Sequence, residues 1–261
     1  MDILTQDILA IFSGSIIGLT LGLIGGGGSV LSVPLLIGVV GVTQPHIAIG
    51  TSAVAVAVSA ALNLAAHARM ETVKWPCALV FAGSGIAGAL VGAALGKATD
   101  GKTLLALFGL LMLIIAGLML RPRKGGAQPD VRLTAMSARR LLPALIGFGL
   151  AVGMLSGFFG IGGGFLVVPG LIGATSMPIL NAVGSSLVSV TAFGATTAIS
   201  YALDGLVDWR IAGFFVLGGI GGGIVGTSLA KRLAARKDML TRVFSGVVMA
   251  AGIYVVYRGF S

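Results

Sequence analysis

Residues 22–37, GLIGGGGSVLSVPLLI, set four consecutive glycines inside an apolar run. Glycine costs a helix interior roughly 1 kcal/mol per residue relative to alanine, so a hydrophobic helix that carries four in a row needs a reason for them. The pattern returns at 157–172, GFFGIGGGFLVVPGLI. The chain around both stretches is overwhelmingly apolar. Of its 261 residues, 56% are hydrophobic and 10% charged, and the mean hydropathy is +1.07. A water-facing surface needs far more charge than that. Runs at 76–96, 103–120, 141–159, 211–230 and 240–257 are each long enough to span a bilayer. These features predict an all-α polytopic membrane protein with the lipid bilayer as its main surroundings.

The N-terminus, MDILTQDILAIF, has no basic segment and no A-x-A cleavage site, and reads as a retained span rather than a signal peptide. A single cysteine, Cys77, leaves no internal disulfide. The net charge of +9 would suggest nucleic acid for a soluble protein. In a membrane protein the topology rule for lysine and arginine accounts for it, and no nucleic-acid partner is expected.

Shifted by 134 or 135 residues, the sequence falls onto itself. Gly18 meets Gly153, Gly22 meets Gly157, and Gly25, Gly27 and Gly28 meet Gly160, Gly162 and Gly163. Pro34 meets Pro169, AIGTS at 48–52 meets AVGSS at 182–186, Trp75 meets Trp209, and Lys97 meets Lys231. The chain therefore divides into a first repeat at 1–120, a polar linker at 121–140 with six of the 17 basic residues, and a second repeat at 141–261.

Each repeat opens with a glycine-broken element, 8–40 or 141–173, followed by three ordinary spans. As one helix such an element would be about 50 Å long, well beyond a hydrocarbon core of about 30 Å. A single crossing would divide the basic residues 10 to seven between the two sides, whereas a hairpin divides them 13 to four. The positive-inside rule favours the hairpin, with 68–75, the linker and 231–242 cytoplasmic and both termini outside. Each repeat then crosses three times, so the second is inverted relative to the first. Inverted-topology repeats with broken helices are a transporter architecture.

A chain that turns inside a membrane needs a protein-lined or wet surrounding for its exposed backbone groups. Glycine permits such a turn because it adopts positive φ. Helices restarting at Ser29 and Gly164 would direct their positive dipole ends inward, forming an anion site without a buried lysine or arginine. Pro34 and Pro169, a turn further on, would each free a carbonyl. The candidate substrate-binding residues are therefore Gly26, Gly27, Gly28 and Ser29 in the first repeat and Gly162, Gly163 and Gly164 in the second. Small residues at spacing four in 85–96, GIAGALVGAALG, read as helix packing instead.

Ser52, Ser59, Asn63 and His67 follow at spacings of 7, 4 and 4, and Ser185, Ser189, Thr196 and Ser200 at 4, 7 and 4, one helical face each. Of these, Ser52, Asn63 and Ser185, with the adjacent Thr51 and Ser186, are candidates to complete the anion contacts. Interhelical bonding is the competing reading. His67 is a candidate for proton coupling, although an interfacial role competes and its repeat counterpart is Tyr201. His46, in a short outer loop, carries no role. Trp75 and Trp209 read as interfacial anchors, and Asp204 and Asp208 as candidates to pair with Arg210. There is no metal-ligand cluster, no P-loop and no nucleophile–base pair, so neither a metal, a cofactor nor an enzyme activity is expected.

The doubled motif, GGGGSVLSVP and GIGGGFLVVP with GTS and GSS opening the next helix, resembles the sulfite exporter family often called TauE/SafE, over essentially the whole chain. The resemblance implies transport of a small sulfur-containing anion: sulfite, taurine, another organosulfonate or their breakdown products. The expected protein is a secondary transporter of the cell membrane, the bacterial inner membrane, working by alternating access. An anion channel and a non-transporting membrane subunit are the alternatives. A homo-oligomer stays open, because no docking face separates from lipid-facing surface.

Overall fold

The computed structural model describes residues 3–24, 29–120, 135–232 and 237–260. The first glycine stretch, with Gly26, Gly27 and Gly28, and most of the linker lie outside the described residues. The ordered elements are helical: α1 (Ile3–Ile24), α2 (Ser32–Gly38), α3 (Pro45–Arg69), α4 (Trp75–Ala98), α5 (Gly101–Leu120), α6 (Ala135–Phe159), α7 (Gly164–Thr175), α8 (Ile179–Leu203), α9 (Trp209–Arg232) and α10 (Lys237–Phe260). Among the described residues, seven helices are long and apolar enough to cross a membrane. The chain is a multi-pass helical membrane protein, as the composition requires.

Local chemistry sets the helix ends. Pro45 and Pro76 lie in the first turns of α3 and α4, where a missing N–H leaves no gap in the ladder. Asp100 accepts the N–H groups of Lys102 and Thr103 at the start of α5, and Asp208 accepts that of Ile211 at the start of α9. α6 begins at Ala135, inside the segment read as linker. Ala, Met and Arg are strong helix formers, so the helix extends past the end of the apolar run. Pro169 lies inside α7 and leaves the Phe165 carbonyl without its helical donor, while Pro34 falls in the first turn of α2.

Both glycine-broken elements fold back. The Gln6 amide donates to the Val40 carbonyl at 3.2 Å, so the chain after α2 returns to the end of α1 from which it set out. α7 runs back along α6: a Cβ at Gly163 would meet Ser156, one at Gly170 would meet Val152, and one at Gly173 would meet Phe148.

The repeats are interlocked. α1 packs along α9 and α6 along α4, each pair parallel and each joining one repeat to the other. Glycine makes this contact nearly backbone to backbone. A Cβ at Gly14, Gly18 or Gly222 would stand 1.9, 2.0 or 1.9 Å from the carbonyl oxygen of Phe215, Gly219 or Ser15. On the other pair, Cβ atoms at Gly88, Gly92 and Gly153 would stand 2.2, 2.0 and 2.1 Å from the oxygens of Leu150, Met154 and Gly85. Small residues at spacing four therefore pack helices here, as read from 85–96. α3 and α8 cross antiparallel at the centre, with Gly50 beside Tyr201 and Gly194 against Ala57. α5 and α10 also run antiparallel: Gly109 lies against Gly252, and the Ser245 hydroxyl donates to the Ala116 carbonyl at 2.7 Å. Large aromatic side chains, Phe108, Phe159 and Phe215 in one cluster and Phe81 and Phe193 in another, fill the buried core.

The ion pairs differ from the expected ones. Arg210 pairs with Asp7 and also donates to the Ile3 carbonyl, and Asp204 pairs with Lys97. Asp208 is spent on capping α9. Spacing in sequence made the two aspartates look like partners of Arg210, but the parallel packing of α1 on α9 brings Asp7 to it first. Trp75 and Trp209 open their helices and are exposed.

Gly83 offers the control for the glycine contacts, since it lies on α4 with nothing within 4 Å of an added Cβ. Gly92→Val should lower the stability of the purified protein in detergent by roughly 1–3 kcal/mol or more, and Gly83→Val should leave it nearly unchanged. Equal melting temperatures for the two variants would remove the contact from the account of the fold.

Candidate functional site

The second glycine stretch forms a tight turn between α6 and α7. Gly160, Gly162 and Gly163 all have φ between +64° and +66°, a region that side chains disfavour. The turn is also walled in. A Cβ at Gly160 would lie 2.0 Å from Ile49 Cγ2, and one at Gly162 would lie 2.9 Å from Val56 Cγ1. Both walls belong to α3, in the other repeat. The Ser52 hydroxyl completes the contact by donating to the Gly160 carbonyl at 3.0 Å, fully buried. The turn of one repeat is thus held by the third helix of the other.

α7 begins at Gly164, where the sequence placed its restart. Its N-cap is Gly163 in the left-handed conformation, and no side chain caps the helix. The Gly163 carbonyl accepts the N–H groups of Leu166 and Val167 at 2.9 Å, while Gly164 and Phe165 are buried. The positive end of a helix dipole therefore lies inside the protein without a side-chain oxygen to neutralise it. Beside it stands Ser156, which is fully buried and whose hydroxyl has no hydrogen-bond partner. Ser13 on α1 and Ser189 and Thr197 on α8 are also buried with partnerless hydroxyls.

In the first repeat, Ser29 is buried and opens a short 3₁₀ turn before α2, and its carbonyl accepts the Ser32 hydroxyl at 2.8 Å. Thr51 and Ser185, 134 residues apart, make the same contact twice. Thr51 Oγ1 accepts the N–H of Asp208 at 3.0 Å, and Ser185 Oγ accepts that of Lys74 at 2.9 Å. These hydroxyls tie the starts of α9 and α4 to the helices that carry the site. Ser186 donates to the Val183 carbonyl one turn back.

Asn63 and Ser59 face α9 rather than the turn: Cβ atoms at Gly223 and Gly219 would meet them at 3.1 and 2.6 Å. The Asn63 amide also donates to the Ser59 carbonyl. His67 lies at the far end of α3, about 22 Å along the axis from Ser52. Its Nδ1 is 3.1 Å from Thr72 Oγ1, which also lies 3.1 Å from the His67 carbonyl oxygen. The fold therefore gathers Ser52 and Gly162–Gly164 around one point and leaves Asn63 and His67 away from it.

The groups on offer at that point are backbone N–H groups and hydroxyls. Residues 141–203 include no Asp, Glu, Lys, Arg or His, and no group of three metal-ligating side chains occurs among the described residues. Such a set suits the oxygens of an anion.

Comparison with known proteins follows the same line. The family model for the sulfite exporter TauE/SafE matches residues 10–255. A probable membrane transporter protein of Xylella fastidiosa (strain Temecula1) is 51% identical over 97% of this chain and 96% of its own length. The probable membrane transporter protein YunE of Bacillus subtilis (strain 168) is 30% identical over 97% of this chain and 98% of its own. No solved structure matches.

Gly205 separates the two costs that meet at Gly160. It has φ of +70° but nothing within 4 Å of an added Cβ. Gly205→Ala should cost about 1–2 kcal/mol through backbone conformation alone. Gly160→Ala, which adds the collision with Ile49, should cost clearly more in thermal unfolding. A smaller effect at Gly160 than at Gly205 would contradict the tight seating of the turn.

Proposed function

Because the chain belongs to the sulfite exporter TauE/SafE family, we propose that this membrane transporter moves a small sulfur-containing oxyanion, such as sulfite, taurine or another organosulfonate, across the cytoplasmic membrane. The observation that carries the substrate reading is the buried, uncapped start of α7 at the point where the repeats cross. The anion's oxygens take the N–H groups at Gly162–Gly164, with Ser52 next to the turn. The corresponding first-repeat segment, Gly26–Ser29, supplies the second half of the site, and Thr51, Asn63, Ser185 and Ser186 position the surrounding helices or line the path. His67 is the group available for proton coupling.

Inverted repeats at 1–120 and 141–261, joined by the linker at 121–140, would carry the substrate by alternating access. The antiparallel crossings of α3 with α8 and of α5 with α10 support the inversion. Glycine contacts tie α1 to α9 and α4 to α6, so the rocking bodies are α1–α3 with α9 and α6–α8 with α4, and the seam between them passes the glycine turn. The side with 13 of the 17 basic residues is cytoplasmic.

Two measurements test this reading. In a Cys77→Ser background, Gly126→Cys and Asp100→Cys should be labelled by impermeant reagents from opposite sides of the membrane. Labelling of both from one side would end the inverted-repeat reading. For the substrate, a thermal-shift panel with anaerobic sulfite, taurine, sulfoacetate, chloride and a neutral amino acid should show stabilisation by a sulfur oxyanion, about 2.7 kcal/mol at 100 times its Kd. That shift should vanish in Ser52→Val. No shift with any anion would move the substrate to a cation or a neutral solute.

A further inference from the structure

This inference rests on the oxyanion reading above and narrows it to a charge class. Ser156 lies near the end of α6, and its buried hydroxyl has no partner in the protein. A Cβ built at Gly163 would stand 2.7 Å from Ser156 Cβ and 2.8 Å from its Oγ. Gly163 is the N-cap of α7, so the Ser156 hydroxyl occupies the space that a capping side chain would otherwise take, against a helix start that no side chain caps. A buried hydroxyl without a partner is a net cost to the fold, and a fold keeps few of them. One packed against the N-cap glycine of an uncapped 12-residue helix marks a place where donors wait for an acceptor from outside the chain.

The charge of that acceptor follows from what the site lacks. The helices that form and wall the turn bring no ionisable counter-charge to it: residues 141–203 and 47–66 are free of Asp, Glu, Lys, Arg and His. The helix end offers the equivalent of about half a positive elementary charge. Attraction to a fixed dipole grows linearly with the charge of the ligand, whereas the cost of stripping its hydration grows with the square of that charge. Passing from one negative charge to two therefore doubles the gain and quadruples the cost.

We infer that the cradle formed by Ser156 and the first turn of α7 takes a singly charged oxyanion, an organosulfonate or hydrogen sulfite, and rejects doubly charged analogues such as sulfate. Ser156 donates one hydrogen bond, and the N–H groups of α7 donate the others.

Methanesulfonate and sulfate are tetrahedral sulfur oxyanions of nearly the same size that differ by one charge. Isothermal titration of the full chain in detergent, at fixed ionic strength, should give methanesulfonate an affinity at least about tenfold above that of sulfate. Ser156→Ala should weaken methanesulfonate about tenfold while leaving the ligand-free melting temperature unchanged or raised, since it removes an unsatisfied group. Ser156→Cys, with a weaker donor of similar size, should fall between. Sulfate binding as tightly as methanesulfonate would overturn the charge selectivity and leave the oxyanion reading standing. Unchanged methanesulfonate affinity in Ser156→Ala would remove Ser156 from the site. Binding of neither anion would overturn the inference together with the reading on which it rests.

Discussion

Helix association within lipid has no hydrophobic drive, because lipid tails are as apolar as leucine. What remains is close packing, and here it takes the form of glycine against carbonyl along two parallel helix pairs. Each pair joins the opening helix of one repeat to the fourth element of the other, α1 to α9 and α6 to α4. The absence of a side chain at Gly14, Gly18, Gly88 and Gly92 lets the backbones approach to distances that no other residue would allow. The rest of the architecture depends on that approach. It brings Asp7 to Arg210.

The glycine turn between α6 and α7 uses the same economy. It has three left-handed glycines, its wall includes an isoleucine and a valine of the other repeat, and the Ser52 hydroxyl donates to the Gly160 carbonyl. The polar groups directed inward are dipoles rather than charges. A bare lysine buried in a membrane-spanning bundle would be costly unless paired, and a pair would already be neutralised. A helix start supplies partial positive charge without that conflict, and glycine supplies access to it.

Much of this was legible in the sequence because the duplication repeats the signals. The motif GIGGGFLVVP located the start of α7 at Gly164, and the paired Thr51 and Ser185 mark equivalent places that the fold uses equivalently. Their chemistry was less legible. Hydroxyls on one helical face suit a ligand and a neighbouring backbone N–H equally well, and only the packing shows that Asp208 and Lys74 claim these two. Asn63 and His67 share a face with Ser52 in projection, but the length of α3 carries them away from the turn. Ser156 was invisible to comparison of the repeats, because its counterpart is Leu21. The ion pairs differ from those that nearness in sequence suggests for a related reason: Arg210 is the basic residue next to Asp204 and Asp208 along the chain, whereas α1 and α4 bring Asp7 and Lys97 from far away in sequence.

The swapped glycine pairs also bear on how the protein is made. Chains enter the membrane from the N-terminus, so α1 is inserted long before α9 leaves the ribosome. Until then its stripe of Gly14, Gly18 and Gly22 lies open to lipid or to another helix, with its proper mate some 200 residues away. α4 waits a shorter time for α6. The first repeat is therefore an unfinished body while the second is being synthesised, and its assembly waits for the helix at 209–232 to pack beside α1 and for α10 to pack on α5. A chain cut short before that helix would leave a long flat glycine face unpaired in the bilayer, the kind of surface by which membrane quality control could tell an incomplete product from a finished one.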